Sequence, residues 1–147
     1  RRAEWVNNLE EWYGCLFVRE DEGLIENKEN LSVIGRDALE FGIDTPLVMS
    51  GLPLGKRTEH GLLRLSHEMA TLRGHEAKQQ VMLLTEDQLK QSLAGRDIEC
   101  DKTEHGDVLL AIQRPGDSRA PLILGRGMRK NGRILNRLPR EIVRMFA

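Results

Sequence analysis

The sequence predicts an α+β fold in which a small mixed domain is followed by a β-pseudobarrel with short helices. Three observations lead there. Helical periodicity is confined to brief stretches, around residues 5–12, 66–73 and 86–94. Strand-like apolar runs punctuated by Gly, Pro and Asp dominate after residue 79. A chain of 147 residues that is 39% hydrophobic and 31% charged can bury a real core, and it contains no apolar run of the ~18 residues that a membrane span needs.

Taken in order, Trp5, Leu9 and Trp12 fall at i, i+4 and i+7, so residues 1–12 read as an amphipathic linker helix with both tryptophans on one face, ended by Gly14. Cys15–Val18 and Leu24-Ile25 read as a hairpin with Glu20-Asp21-Glu22 in its turn, and 26–30 as polar loop. Residues 31–42 are mixed, and Thr45–Met49 reads as a strand running to Gly51. Ser66 is the expected N-cap of a short helix whose apolar face is Met69, Ala70 and Leu72 and which Gly74 closes. The expected domains are thus residues 13–78 and, from about Gln79, residues 79–147.

In the second unit Val81–Thr85 reads as a strand. Thr85 and Gln88 form a capping box for a helix from Glu86 to Ala94, stopped at Gly95. Asp107–Gln113 is the clearest strand, with Arg114-Pro115-Gly116-Asp117 turning it into Pro121–Gly125. Asn131-Gly132 is a strong hairpin signal, because a type I′ turn needs positive φ at both central residues. Pro139 ends the last strand, and Ile142, Val143 and Phe146 are expected to pack back onto the barrel. Leu63, Leu65, Leu109 and Ile112 read as core.

Charge is distributed unevenly. Residues 119–147 carry eight cations (Arg119, Arg126, Arg129, Lys130, Arg133, Arg137, Arg140, Arg144) against Glu141 alone, a net of +7. Residues 1–118 hold 14 cations and 22 acids, a net of −8. Such a tail fits a polyanionic partner, and the preference for Arg over Lys suits paired hydrogen bonds to phosphate.

Catalytic signatures are missing from the sequence. His60, His67, His75 and His105 lack the i, i+4 spacing of a helical metal pair, so no metal site is expected. Cys15 and Cys100 stand outside any C-x-x-C spacing and read as small half-buried thiols. Gly125-Arg126-Gly127 lacks the further glycine of a dinucleotide loop, and no catalytic residue is assigned. Arg1-Arg2-Ala3-Glu4 leads into no signal-like apolar stretch, which makes the cytoplasm the expected compartment. A start at Arg in place of Met suggests a piece of a longer protein.

The order of the later elements resembles a known family. "LTEDQLKQSLAGRD" (84–97), "GDVLLAIQ" (106–113), Pro121–Gly125 and Gly132–Arg140 are similar to the C-terminal PUA-like domain of the RsmF/YebU-type ribosomal RNA (cytosine-5)-methyltransferases. Upstream, "SGLPLGKR" and "LLRLSHEMATL" resemble the smaller RNA-capture domain of that family, with His67 at its histidine position. The chain departs from the pattern at Leu135-Asn136, where the family has lysine-asparagine, and in the longer Pro121–Gly125 strand. The resemblance runs from about Tyr13 and implies a PUA-like pseudobarrel over 79–147.

It further implies an RNA-binding region that positions structured small-subunit rRNA for a methyltransferase domain of the same polypeptide. That domain would carry S-adenosylmethionine and a Pro-Cys nucleophile. Neither cysteine here follows proline, so this stretch has no catalytic role of its own and no cofactor. The expected RNA contacts are Arg126, Arg129, Lys130, Arg133, Asn136, Arg137 and Arg140, joined by Lys56 and Arg57. No aromatic residue lies within the basic segment, so contact with A-form RNA through phosphates and the minor groove is expected over base stacking. No membrane partner is expected. The alternative is a protein-interaction module whose basic tail docks on an acidic partner or on its own catalytic domain; a free-standing enzyme requires an unrecognised site.

Overall fold

The structure, a computed structural model, describes residues 3–41, 51–101, 104–114, 116 and 120–146. The strand expected at Thr45–Met49 lies outside the described residues, as do Pro115 and Asp117 of the turn expected at 114–117. The architecture is α+β, with two sheets and short helices.

Helix α1 (Glu4–Tyr13) ends where Gly14 takes the left-handed conformation at φ 69°. Its buried face is Val6, Leu9, Glu10 and Tyr13, while Trp5 and Trp12 flank that face half-buried. The first sheet is an antiparallel meander of β1 (Glu22–Asn27), β2 (Asn30–Gly35), β3 (Leu52–Arg57) and β4 (Leu63–Leu65). Its first hairpin turns at Lys28-Glu29, one strand later than the sequence suggested. Cys15–Val18 is no strand because its backbone has another partner: the Glu10 carboxylate accepts hydrogen bonds from the N–H groups of Phe17 (2.7 Å) and Val18 (3.1 Å). Helix α2 (Arg36–Phe41) follows β2.

Ser66 caps α3 (His67–Arg73), its hydroxyl accepting from the Met69 N–H at 3.0 Å, as expected. Leu72, however, is exposed, and Arg73 takes the buried place. Its guanidinium donates to the Phe17 carbonyl and, as a fork, to both oxygens of Glu22 at 2.7 and 2.8 Å. Glu22 is thus the partner of a helix, not a solvated turn acid. A 3₁₀ turn (Gly74–Glu76) leads to the second sheet.

That sheet runs β5-β7-β8-β9-β6 and curls into a half-barrel. It comprises β5 (Val81–Leu83), β6 (Ile98–Glu99), β7 (Gly106–Ile112), β8 (Leu122–Lys130) and β9 (Arg133–Asn136). Among the described strands of this sheet only β5–β7 is parallel; the connection between them contains α4 (Glu86–Leu93), whose Thr85–Gln88 capping box forms on both sides, and β6. Helix α5 (Arg140–Phe146) closes the chain, with Val143 against Gly95 at the end of α4.

The half-barrel packs on both faces. Its inner face holds Ile98, Val108, Leu110 and Ile134. Its outer face contributes Leu109, Ala111 and Ile123 to a larger cluster with Val6, Leu9, Tyr13, Leu65 and Met69. The segment read as a linker therefore supplies core, and one apolar cluster spans both sheets. Ile112 is half-buried.

Two outcomes are expected. Glu10→Ala leaves the Phe17 and Val18 N–H groups without their carboxylate and should cost about 2 kcal/mol or more, read from the urea midpoint at unchanged slope. The hydrogen bond from Arg73 holds the Glu22 carboxyl below its ordinary value of 4.5. Its contribution is therefore complete above about pH 4.5 and fades as pH falls through the depressed folded value. Glu22→Gln should flatten that part of the acid-stability profile.

Candidate nucleic-acid interface

Asn131 (φ 53°) and Gly132 (φ 77°) form the two-residue turn between β8 and β9, with Lys130 opposite Arg133. Strand alternation then sorts the cations. Along β8, Ile123, Gly125, Gly127 and Arg129 point to buried positions, and Lys130 at the tip is exposed. Arg129 is only 5% exposed, and its Nη1 donates to Gln80 Oε1 at 2.5 Å. Arg126 is also withdrawn: its side chain is 14% exposed, and Nη1 stands 3.9 Å from Asp107 Oδ1. Burial lowers its pKa, with Asp107 opposing that shift.

Asn136, half-buried, spends its side chain on hydrogen bonds within the protein. Its Nδ2 donates to the carbonyls of Ser92 (2.8 Å) and Arg96 (3.2 Å), and its Oδ1 accepts from the Leu138 N–H at 3.0 Å. Its backbone N–H donates to Asp97 Oδ1 at 2.8 Å. It bolts the root of the hairpin to the end of α4. Arg126 and Arg129 are therefore withdrawn from the surface, and half-buried Asn136 is held by hydrogen bonds within the protein, which departs from the RNA-facing place expected for the three.

The exposed set is Lys130, Arg133, Arg137 and Arg140, with Arg144 beyond. Arg133, 60% exposed, has Asp97 Oδ2 at 3.9 Å. Lys56 and Arg57 stand on β3 of the other sheet and are each matched by an acid of the first hairpin. Lys56 Nζ lies 3.2 Å from Glu29, Arg57 Nη1 lies 2.6 Å from Glu26, and Arg57 Cζ lies 5.5 Å from the centroid of the Trp5 ring. They stand on the other sheet from the hairpin, with Arg57 against α1.

Where the sheets meet, the fold assembles a polar group invisible along the chain. Trp12 Nε1 donates to the Asp107 carbonyl at 2.8 Å across 95 positions of sequence. Arg64 Nε lies 3.7 Å from Asp107 Oδ2. Tyr13 is fully buried, its hydroxyl has no hydrogen-bond partner among the described residues, and burial pushes its pKa above the usual range, with Asp107 adding to the effect. His67 sits over Gly125, where a Cβ would come within 3.1 Å of its Nδ1, and Gly125 also passes under Leu138. The only sequence hint of this cluster was an acid opening an otherwise apolar strand. Among the described residues no group of His, Cys, Asp and Glu is arranged to hold a metal, and no helix is long and apolar enough to cross a membrane.

No family model matches the chain, and no curated protein matches it either.

Burial lowers the His67 pKa below the ordinary 6.5, Arg126 adding to the effect and Glu68 opposing it. The unfolded chain thus binds the proton more tightly, and stability should decline as pH falls from about 6.5 through the depressed folded value. His67→Asn should remove that decline, seen by comparing melting temperatures at pH 7.5 and 5.5.

Proposed function

We propose that this chain is an RNA-binding region that holds structured small-subunit rRNA for an rRNA (cytosine-5)-methyltransferase domain. Its supporting observation is the stiff β8–β9 hairpin that presents Lys130 and Arg133 at its tip, with Arg137 and Arg140 exposed beyond its root. The hairpin is rooted by Asn136, so these cations are held in place against a body whose first 118 residues carry a net of −8. RNA is attracted to one ridge and repelled elsewhere. Because A-form RNA displays phosphates and 2′-hydroxyls over a shallow minor groove, a rigid basic ridge recognises it by shape. The methyltransferase assignment is supported by the order of sequence elements over residues 84–140, and it places S-adenosylmethionine in that other domain.

Binding to a structured small-subunit rRNA fragment should be steeply salt-dependent. Replacing Lys130, Arg133 and Arg137 by Ala should weaken it and reduce the log–log salt slope by about 3. Arg129→Ala should instead lower stability and leave the slope nearly unchanged. Absence of RNA binding by the folded chain at low salt, with capture of an acidic protein surface, would replace this reading by a docking role for the tail.

A further inference from the structure

Beside the hairpin lies a cavity of about 480 Å³ between α1, the 58–64 segment, residues 105–107 and Met128. That size falls within the ~300–1,000 Å³ of small-ligand sites. Trp5 and Trp12, seven residues apart on α1, line it half-buried, so indole surface is presented to whatever enters. Arg57 already lies over the Trp5 ring, which shows that the indole face accepts a flat, delocalised group.

Exposed Asn8, His60 and His105 and half-buried Thr58 line its outer part, and Arg64, Asp107 and the fully buried Tyr13 form its more buried polar group. Arg64 Nε and Asp107 Oδ2 are 3.7 Å apart, longer than a hydrogen bond. Neither the Tyr13 hydroxyl, Arg64 Nε nor Asp107 Oδ1 has a hydrogen-bond partner among the described residues. The Asp107 carboxylate, which also has Arg126 Nη1 at 3.9 Å from Oδ1, and the Arg64 guanidinium thus stand side by side with hydrogen-bonding capacity unused, in a cavity that two indoles also line. An edge that carries both an amine and a carbonyl satisfies both groups. Among nucleobases, guanine and cytosine have such an edge; adenine has no carbonyl and uracil no exocyclic amine. A purely apolar side chain of a protein partner would cover the two charges without satisfying either.

Position supplies the rest. Met128 lines the cavity opposite Asp107 on β7 and opposite Leu135 on β9. Lys130 is two residues further along the same face of β8, about 7 Å away at ~3.3 Å per residue. A nucleotide whose phosphate rests on Lys130 or Arg133 has its base within reach of the cavity. We infer that the cavity receives one unpaired guanine or cytosine base of the bound RNA. The inference rests on the RNA-binding reading above and adds to it a base-selective contact.

The two indole N–H signals of Trp5 and Trp12 report directly on the cavity in a ¹⁵N-labelled sample of the whole chain. GMP and CMP should shift both signals saturably, at least about fivefold more tightly than AMP or UMP, and ribose 5-phosphate should leave them unmoved. Asp107→Ala, which removes the acceptor for the base amine, should erase the preference over UMP. Trp5→Ala, on the half-exposed side of α1, should weaken GMP binding about tenfold through lost stacking; it carries the test if the Asp107 variant fails to fold. An rRNA hairpin with a bulged G or C should also bind more tightly than its fully paired counterpart. Unmoved indole signals with all four nucleotides, together with equal affinity for bulged and paired RNA, would overturn the inference while leaving arm-dependent RNA binding intact. Indole shifts with GMP in a chain that binds no RNA would uphold the base site and remove the RNA reading.

Discussion

The indole of Trp12 donates to the Asp107 carbonyl at 2.8 Å, and at that point α1 meets the opening of β7. Much else follows from this junction. Leu109, two residues along β7, is fully buried in the cluster that also holds Val6 and Tyr13 of α1 and Leu65 of β4. Burying a leucine or isoleucine contributes about 1.5–3 kcal/mol, so Leu109 and Ile123 do more to hold the sheets together than the charges beside them. Asp107, with Arg64 at 3.7 Å and Arg126 at 3.9 Å, is loosely paired and partly desolvated. Such pairs contribute little net stability.

Once β7 is pinned, β8 is pinned with it, through a ladder from Gly106↔Arg129 to Ile112↔Leu122 interrupted by a bulge after Leu110. The register decides the chemistry of the tail. A slip by one residue would exchange the faces of β8, turning Arg129 outward and Lys130 inward. The hairpin is rooted by Asn136, which engages Ser92, Arg96, Asp97 and Leu138 at once, so the exposed cations sit on a stiff element. The same register places Met128 at the mouth of the tryptophan-lined cavity, joining a charged ridge to an aromatic recess.

Features encoded within a few residues were legible. The Thr85–Gln88 capping box, the Ser66 cap, the left-handed Gly14 and the Asn131-Gly132 turn all form as read, because each is closed by atoms at most four residues apart. Cys15–Val18 misled for the opposite reason. Its apolar composition suits a strand, but the buried Glu10 carboxylate claims two of its N–H groups, and nothing local announces that. Leu72 and Arg73 exchanged their expected environments because Glu22, 51 positions away, takes the guanidinium.

The candidate site divides along the same line. By itself the sequence determined that the chain is α+β, that its last 29 residues carry a net of +7, and that a two-residue turn projects Lys130 and Arg133. These depend on composition and on short-range backbone preference, which a single strand of text contains. Only the tertiary structure decided that Arg126 and Arg129 turn inward, that Asn136 is taken up by hydrogen bonds within the protein, and that Trp5, Trp12, Arg64 and Asp107 line one cavity. Both faces of β8 are partly covered, so its pattern of residues does not say which face is which. The choice is made by the packing of the half-barrel against α1 and the first sheet.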